Sequence, residues 1–211
     1  MNNNIISAGV PVAKAEKALI MLHGRGADAR DILGVADHLN IKDFALLAPQ
    51  APGNTWYPYS FIAPVENNEP YLSQSLQAVA NTVEYAMNSG IAKENVYLLG
   101  FSQGACLASE YMARHAGRYG GLVAFTGGLI GEKINRAHYT GNFNGTPVFI
   151  GTSDPDFHVP VERVYATANI FREMGAAVTE KVYANMGHTI NQDEMDHANR
   201  IVFATPVGKE V

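Results

Sequence analysis

Cysteine is almost missing from this chain: Cys106 stands alone among 211 residues. No disulfide within the chain is possible, so the fold needs no oxidising compartment. Its setting, in an apolar helical stretch, reads as a small buried residue rather than a reactive thiol. Charge is also scarce, at 17% of residues, and its balance is acidic, with 20 Asp and Glu against 15 Lys and Arg for a net −5. A general nucleic-acid binder would carry a basic face, so that class is excluded. No apolar run approaches the roughly 20 residues needed to cross a bilayer. The longest, from Gly120 to Ile130, is interrupted by four glycines. The start, Met1-Asn2-Asn3-Asn4-Ile5-Ile6, lacks the basic segment and apolar core of a signal peptide. A cytoplasmic protein without membrane insertion is expected. Repeats, linkers and low-complexity tracts are missing too, and one domain over residues 1–211 is the simplest reading, long enough to bury a sizeable core.

What is present is an alternation of strand-like and helix-like segments. Ala18-Leu19-Ile20-Met21-Leu22 and Phe44-Ala45-Leu46-Leu47-Ala48 are short continuous apolar runs. Asn95 to Leu99, Gly121 to Phe125, Thr146 to Gly151 and Ala177 to Tyr183 add four more. Between them, helices are predicted from Asp28, a candidate cap, to about Leu39, and over Tyr71–Asn88, where Leu72, Leu76, Val79, Val83 and Met87 share a helical face. Others follow from Ala105 to Arg114, from Val161 to Met174 with Gly175 as a stop, and from Asn191 to Phe203. Strands buried on both faces and alternating with helices predict an α/β fold: a doubly wound, mostly parallel sheet.

The chemistry is signalled at strand ends, where open α/β sheets build their sites. Gly100-Phe101-Ser102-Gln103-Gly104 joins a strand to a helix, the context of a nucleophile elbow. The turn is tight enough that a Cβ two residues either side of the serine would clash. Its reward is a hydroxyl at a helix N-terminus, where N–H groups and dipole favour negative charge. A Gly-x-Ser-x-Gly alone is a weak signal in a chain with 20 glycines, so the partners matter. They follow in the order expected of α/β hydrolases: an acid in Gly151-Thr152-Ser153-Asp154, then His188 after the last strand. Between Gln50 and Pro70 lies a long loop carrying Trp56, Tyr57, Tyr59 and Phe61. Such long loops are often functional; these rings either pack the loop onto the body or form an aromatic wall for substrate, with Trp56 and Tyr57 the candidates for contact. No segment is long enough for a lid domain, which favours small soluble esters over emulsified fats.

These segments resemble the phospholipase/carboxylesterase family of α/β hydrolases, the small lidless group that includes acyl-protein thioesterases. The resemblance rests on Leu22-His23-Gly24-Arg25-Gly26, Thr55-Trp56-Tyr57-Pro58-Tyr59-Ser60-Phe61, Gly100 to Cys106, Gly151 to Pro155, and Met186-Gly187-His188-Thr189-Ile190-Asn191. It implies Ser102 as nucleophile, His188 as general base, and the backbone N–H groups of Arg25 and Gln103 as the oxyanion hole. The Arg25 guanidinium is expected in solvent. Relatives carry Gly-x-x-Asp-Pro-x-Val-Pro, whereas Gly151 to Pro160 here is two residues longer and holds two aspartates. Counting from Gly151 selects Asp154 as the acid; counting back from Val159-Pro160 selects Asp156. Position after the strand favours Asp154, with Asp156 as the alternative. His158 is close enough in sequence to pair with either, but six residues rarely converge on a metal, so no metal or cofactor is expected. The implied reaction is hydrolysis of a small-molecule ester through an acyl-enzyme, needing neutral His188 and failing as the solution turns acidic. Short acyl or aryl esters lead, long acyl chains in the manner of a lysophospholipase or thioesterase are the alternative, and a non-catalytic binding protein is a minor third. A homodimer is compatible with the sequence, though no residue demands it.

Overall fold

The computed structural model describes residues 4–204. Seven strands form one sheet: β1 (Ile5–Gly9), β2 (Lys17–Leu22), β3 (Phe44–Pro49), β4 (Val96–Phe101), β5 (Gly121–Phe125), β6 (Pro147–Asp154) and β7 (Ala177–Ala184). Their spatial order is β1-β3-β2-β4-β5-β6-β7. Every pairing is parallel except β1 on β3, which runs antiparallel from Ile5 opposite Pro49 to Gly9 opposite Ala45. The helices are α1 (Ala29–Gly34), α2 (Val65–Asn68), α3 (Tyr71–Asn88), α4 (Gln103–Arg114), α5 (Val161–Glu173) and α6 (Gln192–Ile201).

Two apolar layers flank the sheet because successive strand residues point to opposite faces. Ile20, Leu22, Leu98, Ala124 and Ile150 face α3, α4 and α5. Leu19, Met21, Leu99, Val123 and Phe149 face α1 and α6. All of these are essentially inaccessible to solvent, which is why the strands read as unbroken apolar runs. The parallel, doubly covered sheet is the one the sequence predicts.

Boundaries differ in ways that matter for the site. β1 was not expected: Ile-Ile-Ser-Ala-Gly is short and half exposed, without a core-strand signature. The predicted helix after Asp28 is α1, followed by a separate 3₁₀ turn over Val35–His38. Asp28 does cap it, accepting from the N–H groups of Arg30 and Asp31. The long loop contains the four-residue α2. β6 runs three residues past Gly151 and ends only at Asp154.

Candidate active site

Ser102 closes β4 and precedes α4, with φ +54° and ψ −117°. A side chain in that left-handed region is strained. The neighbours explain how it is enforced. A Cβ on Gly100 would run into the Gly104 carbonyl, and one on Gly104 into the Leu22 carbonyl. α4 therefore starts in backbone contact with the end of β2, and the serine is lifted to the carboxyl edge of the sheet.

The Ser102 hydroxyl lies 2.8 Å from His188 Nε2. His188 Nδ1 lies 2.8 Å from Oδ2 of Asp156. The acid that meets the histidine is thus Asp156, correcting the preference for Asp154. Asp154 is still paired within the sheet, opposite Ala184 of β7, and its side chain is exposed. The two extra residues form a turn beyond the strand. In it, Asp156 Oδ1 accepts from the N–H groups of His158 (2.7 Å) and Val159 (3.0 Å), which leaves Oδ2 for the imidazole. Burial of this carboxylate acts to raise its pKa. The hydrogen bonds from His188, His158 and Val159 outweigh that and hold it below the ordinary aspartate value. Among the described residues the His158 ring pairs with no carboxylate; it stands edge-on to His188, with centroids 4.8 Å apart. Sequence reasoning also missed Ser153, whose hydroxyl accepts from the Gly187 N–H at 3.0 Å and so fixes the residue before His188. Among the described residues no group of three or more His, Cys, Asp or Glu is placed to hold a metal.

Arg25 and Gln103 both line the cleft above Ser102. Gln103 is the first residue of α4, where no intrahelical acceptor exists for its N–H. Among the described residues the Arg25 N–H also has no backbone acceptor. The Arg25 guanidinium, expected in solvent, is exposed yet engaged: it donates to the carbonyls of Pro58 and Tyr59, each at 2.8 Å. The loop beneath is organised by His23, fully buried, whose Nδ1 lies 2.8 Å from the Gly24 carbonyl and whose Nε2 accepts from Ala51 N–H at 3.2 Å. Burial pushes the His23 pKa down, in keeping with a neutral ring that donates at one nitrogen and accepts at the other.

The cleft has a volume of about 500 Å³, with Tyr57, Pro58, Tyr59, Ser60 and Phe61 along one side and His158 and Val159 along the other. Trp56, predicted to touch substrate, does not line it. Its ring is buried and donates to the His23 carbonyl at 2.9 Å, and the residue borders a separate apolar cavity of about 450 Å³ bounded by α3. Tyr57 borders both spaces. Its hydroxyl is buried without a hydrogen-bond partner among the described residues. Cys106 is part of the cleft floor, and burial pushes its thiol up to about 12, so it stays protonated.

A parallel sheet with a strained serine at a strand-to-helix turn, and a histidine and acid on later strand ends, is the layout of an α/β hydrolase. The sequence pattern of the Phospholipase/Carboxylesterase family matches residues 3–204, and the chain belongs to that family. Among solved structures, it resembles the phospholipase/carboxylesterase from Dyadobacter fermentans DSM 18053, at 48% identity and a TM-score of 0.94, covering 95% of this chain and 96% of that one. Esterase PE8 shares the fold, with a TM-score of 0.78 at 23% identity over 93% of this chain and 96% of its own. Acyl-protein thioesterase 1 of Saccharomyces cerevisiae (strain ATCC 204508 / S288c) is 26% identical over 92% of this chain and 94% of its own length. The protein is accordingly an enzyme, a hydrolase of the carboxylesterase and acyl-protein thioesterase type. Among the described residues there is no lid domain, and no helix is long and apolar enough to cross a membrane.

Proposed function

We propose that this protein is a serine carboxylesterase that hydrolyses short acyl or aryl esters. The observation that carries the reading is the unbroken relay from the Ser102 hydroxyl through His188 to Asp156, with 2.8 Å at each link. In the first half-reaction His188 takes the Ser102 proton as the oxygen attacks the ester carbonyl. Asp156 holds the imidazole in orientation and stabilises its cation. The N–H groups of Arg25 and Gln103 receive the charge that develops on the carbonyl oxygen. Collapse of the tetrahedral intermediate releases the alcohol, which takes the proton from His188. Water, deprotonated by His188, then attacks the acyl-enzyme and releases the acid, restoring Ser102. Small ester substrates suit a cleft of about 500 Å³ walled by Tyr57, Tyr59 and Phe61, since such sites are mostly apolar with a few placed polar groups.

The test is hydrolysis of a p-nitrophenyl ester series from acetate to palmitate by wild type and Ser102→Ala. Turnover peaking at short chains and lost in the variant is expected. A peak at long chains moves the substrate class to that in the name of the yeast relative, an acyl-protein thioesterase. Turnover that survives in Ser102→Ala overturns the mechanism.

A further inference from the structure

Residues 57–60 form one wall of the cleft and, with Trp56 before them, run in irregular backbone whose peptide groups are held by side chains rather than by a ladder. Gln103 accepts from the Trp56 N–H at 3.0 Å and donates to the Tyr57 carbonyl at 2.8 Å. Arg25 donates to the next two carbonyls, of Pro58 and Tyr59. Ser75 holds the Trp56 carbonyl at 2.6 Å, and Asn68 holds the Tyr59 N–H and the Ser60 carbonyl at 2.8 and 3.0 Å. The two residues proposed above to supply the oxyanion hole through their main-chain N–H groups therefore also grip the wall through their side chains, alongside Ser75 and Asn68.

We infer that the Arg25 side chain is a positioning residue that locks the cleft wall to the oxyanion hole. The inference rests on the hydrolase reading above. Its physical basis is the setting of Arg25 between Gly24 and Gly26. Glycines stiffen a chain least, and Gly26 has φ +80°. Against that freedom, the peptide plane carrying the Arg25 N–H is held on its carbonyl side, where the Gly24 oxygen lies 2.8 Å from His23 Nδ1 and accepts from the Ala27 N–H at 3.3 Å. The Arg25 guanidinium, donating to two successive carbonyls, is the further anchor that ties this plane to the wall. Gln103 is different, because α4 already orients its N–H. Breaking the Arg25 grip is expected to disturb the hole, whereas breaking the Gln103 grip loosens mainly the wall. The effects separate kinetically: a loose oxyanion donor lowers kcat, and a loose wall raises KM.

The experiment measures kcat and KM for p-nitrophenyl butyrate in wild type, Arg25→Ala, Arg25→Lys and Gln103→Ala. It adds inhibition by butaneboronic acid, which forms a tetrahedral adduct on a catalytic serine, and assays each variant with and without millimolar guanidinium chloride against a sodium chloride control. Removing a whole oxyanion donor costs about 100- to 1,000-fold, so a loosened one is expected to cost about tenfold. Expected for Arg25→Ala is that loss in kcat, a matching loss in boronate affinity, KM within about threefold, and partial recovery with guanidinium ion but not sodium. Arg25→Lys should lie between, since an ammonium lacks the fork. Unchanged kcat, a loss confined to KM, or no recovery specific to guanidinium overturns the inference. Should Arg25→Ala fail to fold, the kcat and boronate affinity of Arg25→Lys decide in the same sense. A wild type that neither hydrolyses esters nor is labelled at Ser102 by a fluorophosphonate overturns the hydrolase reading itself, and this inference with it.

Discussion

Asp156 reaches His188 because its other oxygen is already occupied. With Oδ1 held by two backbone N–H groups of its own turn, the carboxylate has one free oxygen, and that oxygen points at the imidazole. Asp156→Asn is expected to lower kcat by about 1,000- to 10,000-fold, because the amide favours the wrong imidazole tautomer. Asp154→Asn, on an exposed side chain, should stay within about threefold; comparing the two in one ester assay decides between the aspartates. The same carboxylate adds an acid limb to stability. Its pKa is lower folded than unfolded, so its contribution is present above the unfolded value and lost as pH falls through the lowered folded value. Asp156→Asn should flatten the acid side of a Tm-against-pH curve. Ser102 and His188 were legible because strand, turn and order leave local signatures. The acid was not, since where β6 stops depends on pairing with β7, and neither Asp154 nor Asp156 announces that.

At the scale of elements, α6 carries a strain that sequence conceals. Its first turn is a capping box: Asn191 accepts from the Glu194 N–H, and Glu194 Oε2 accepts from the Asn191 N–H, each at 2.9 Å. The Glu194 side chain is buried with its second oxygen unpartnered among the described residues, against Gly151, where no Cβ would fit. Burial, opposed by the cap bond and reinforced by Asp193, raises its pKa to about 7. The folded state therefore holds a proton that the unfolded chain has released, and stability declines as pH rises from the unfolded value to about 7. Glu194→Gln keeps the acceptor without the charge. Its unfolding free energy should match wild type near pH 4 and exceed it above pH 7 by on the order of a few kcal/mol; parallel curves of stability against pH would show that the group does not titrate in the fold. Gly104→Ala belongs here too: a methyl driven into the Leu22 carbonyl must separate α4 from β2, and loss of soluble, active protein is expected. The helix beginning at Asn191 was legible in the sequence, but its capping box and the burial of Glu194 were not. Nor were the hydrogen bonds that shape residues 56–60, because Asn68, Ser75, Gln103 and Arg25 come from four places with no shared spacing.

For the molecule as a whole, the site draws on β2, β4, β6 and β7, so it exists only when the sheet is assembled. These supports are unequal. β2 and β4 are central, while β7 is an edge strand with half-exposed residues. Ion pairs from Arg172 to Glu180 and from Lys181 to Asp193 brace it from outside, and such exposed pairs contribute little. Local opening is expected to begin there, beside His188. Trp56 is the one tryptophan, buried under the wall that Gln103 and Ser75 hold to the body. In a urea titration, hydrolytic activity should be lost first, with Trp56 emission and far-ultraviolet circular dichroism changing together at higher urea. Emission that shifts before activity would place the weak point in the wall instead. The six parallel strands of the doubly wound sheet were legible from apolar runs, whereas the antiparallel edge strand β1 and the ranking of the edges required the pairing order.

The sealed thiol of Cys106 has a practical corollary. Buried and held protonated, it is expected to resist a maleimide dye even though it borders the cleft, so labelling of the unmodified protein should be negligible and the wild-type sequence should serve as a background for single-site labelling. Phe157, 99% exposed on the turn beside His158, is the natural place for an introduced cysteine. A fluorophore there would sit next to Asp156 and report on the turn that presents its carboxylate to His188.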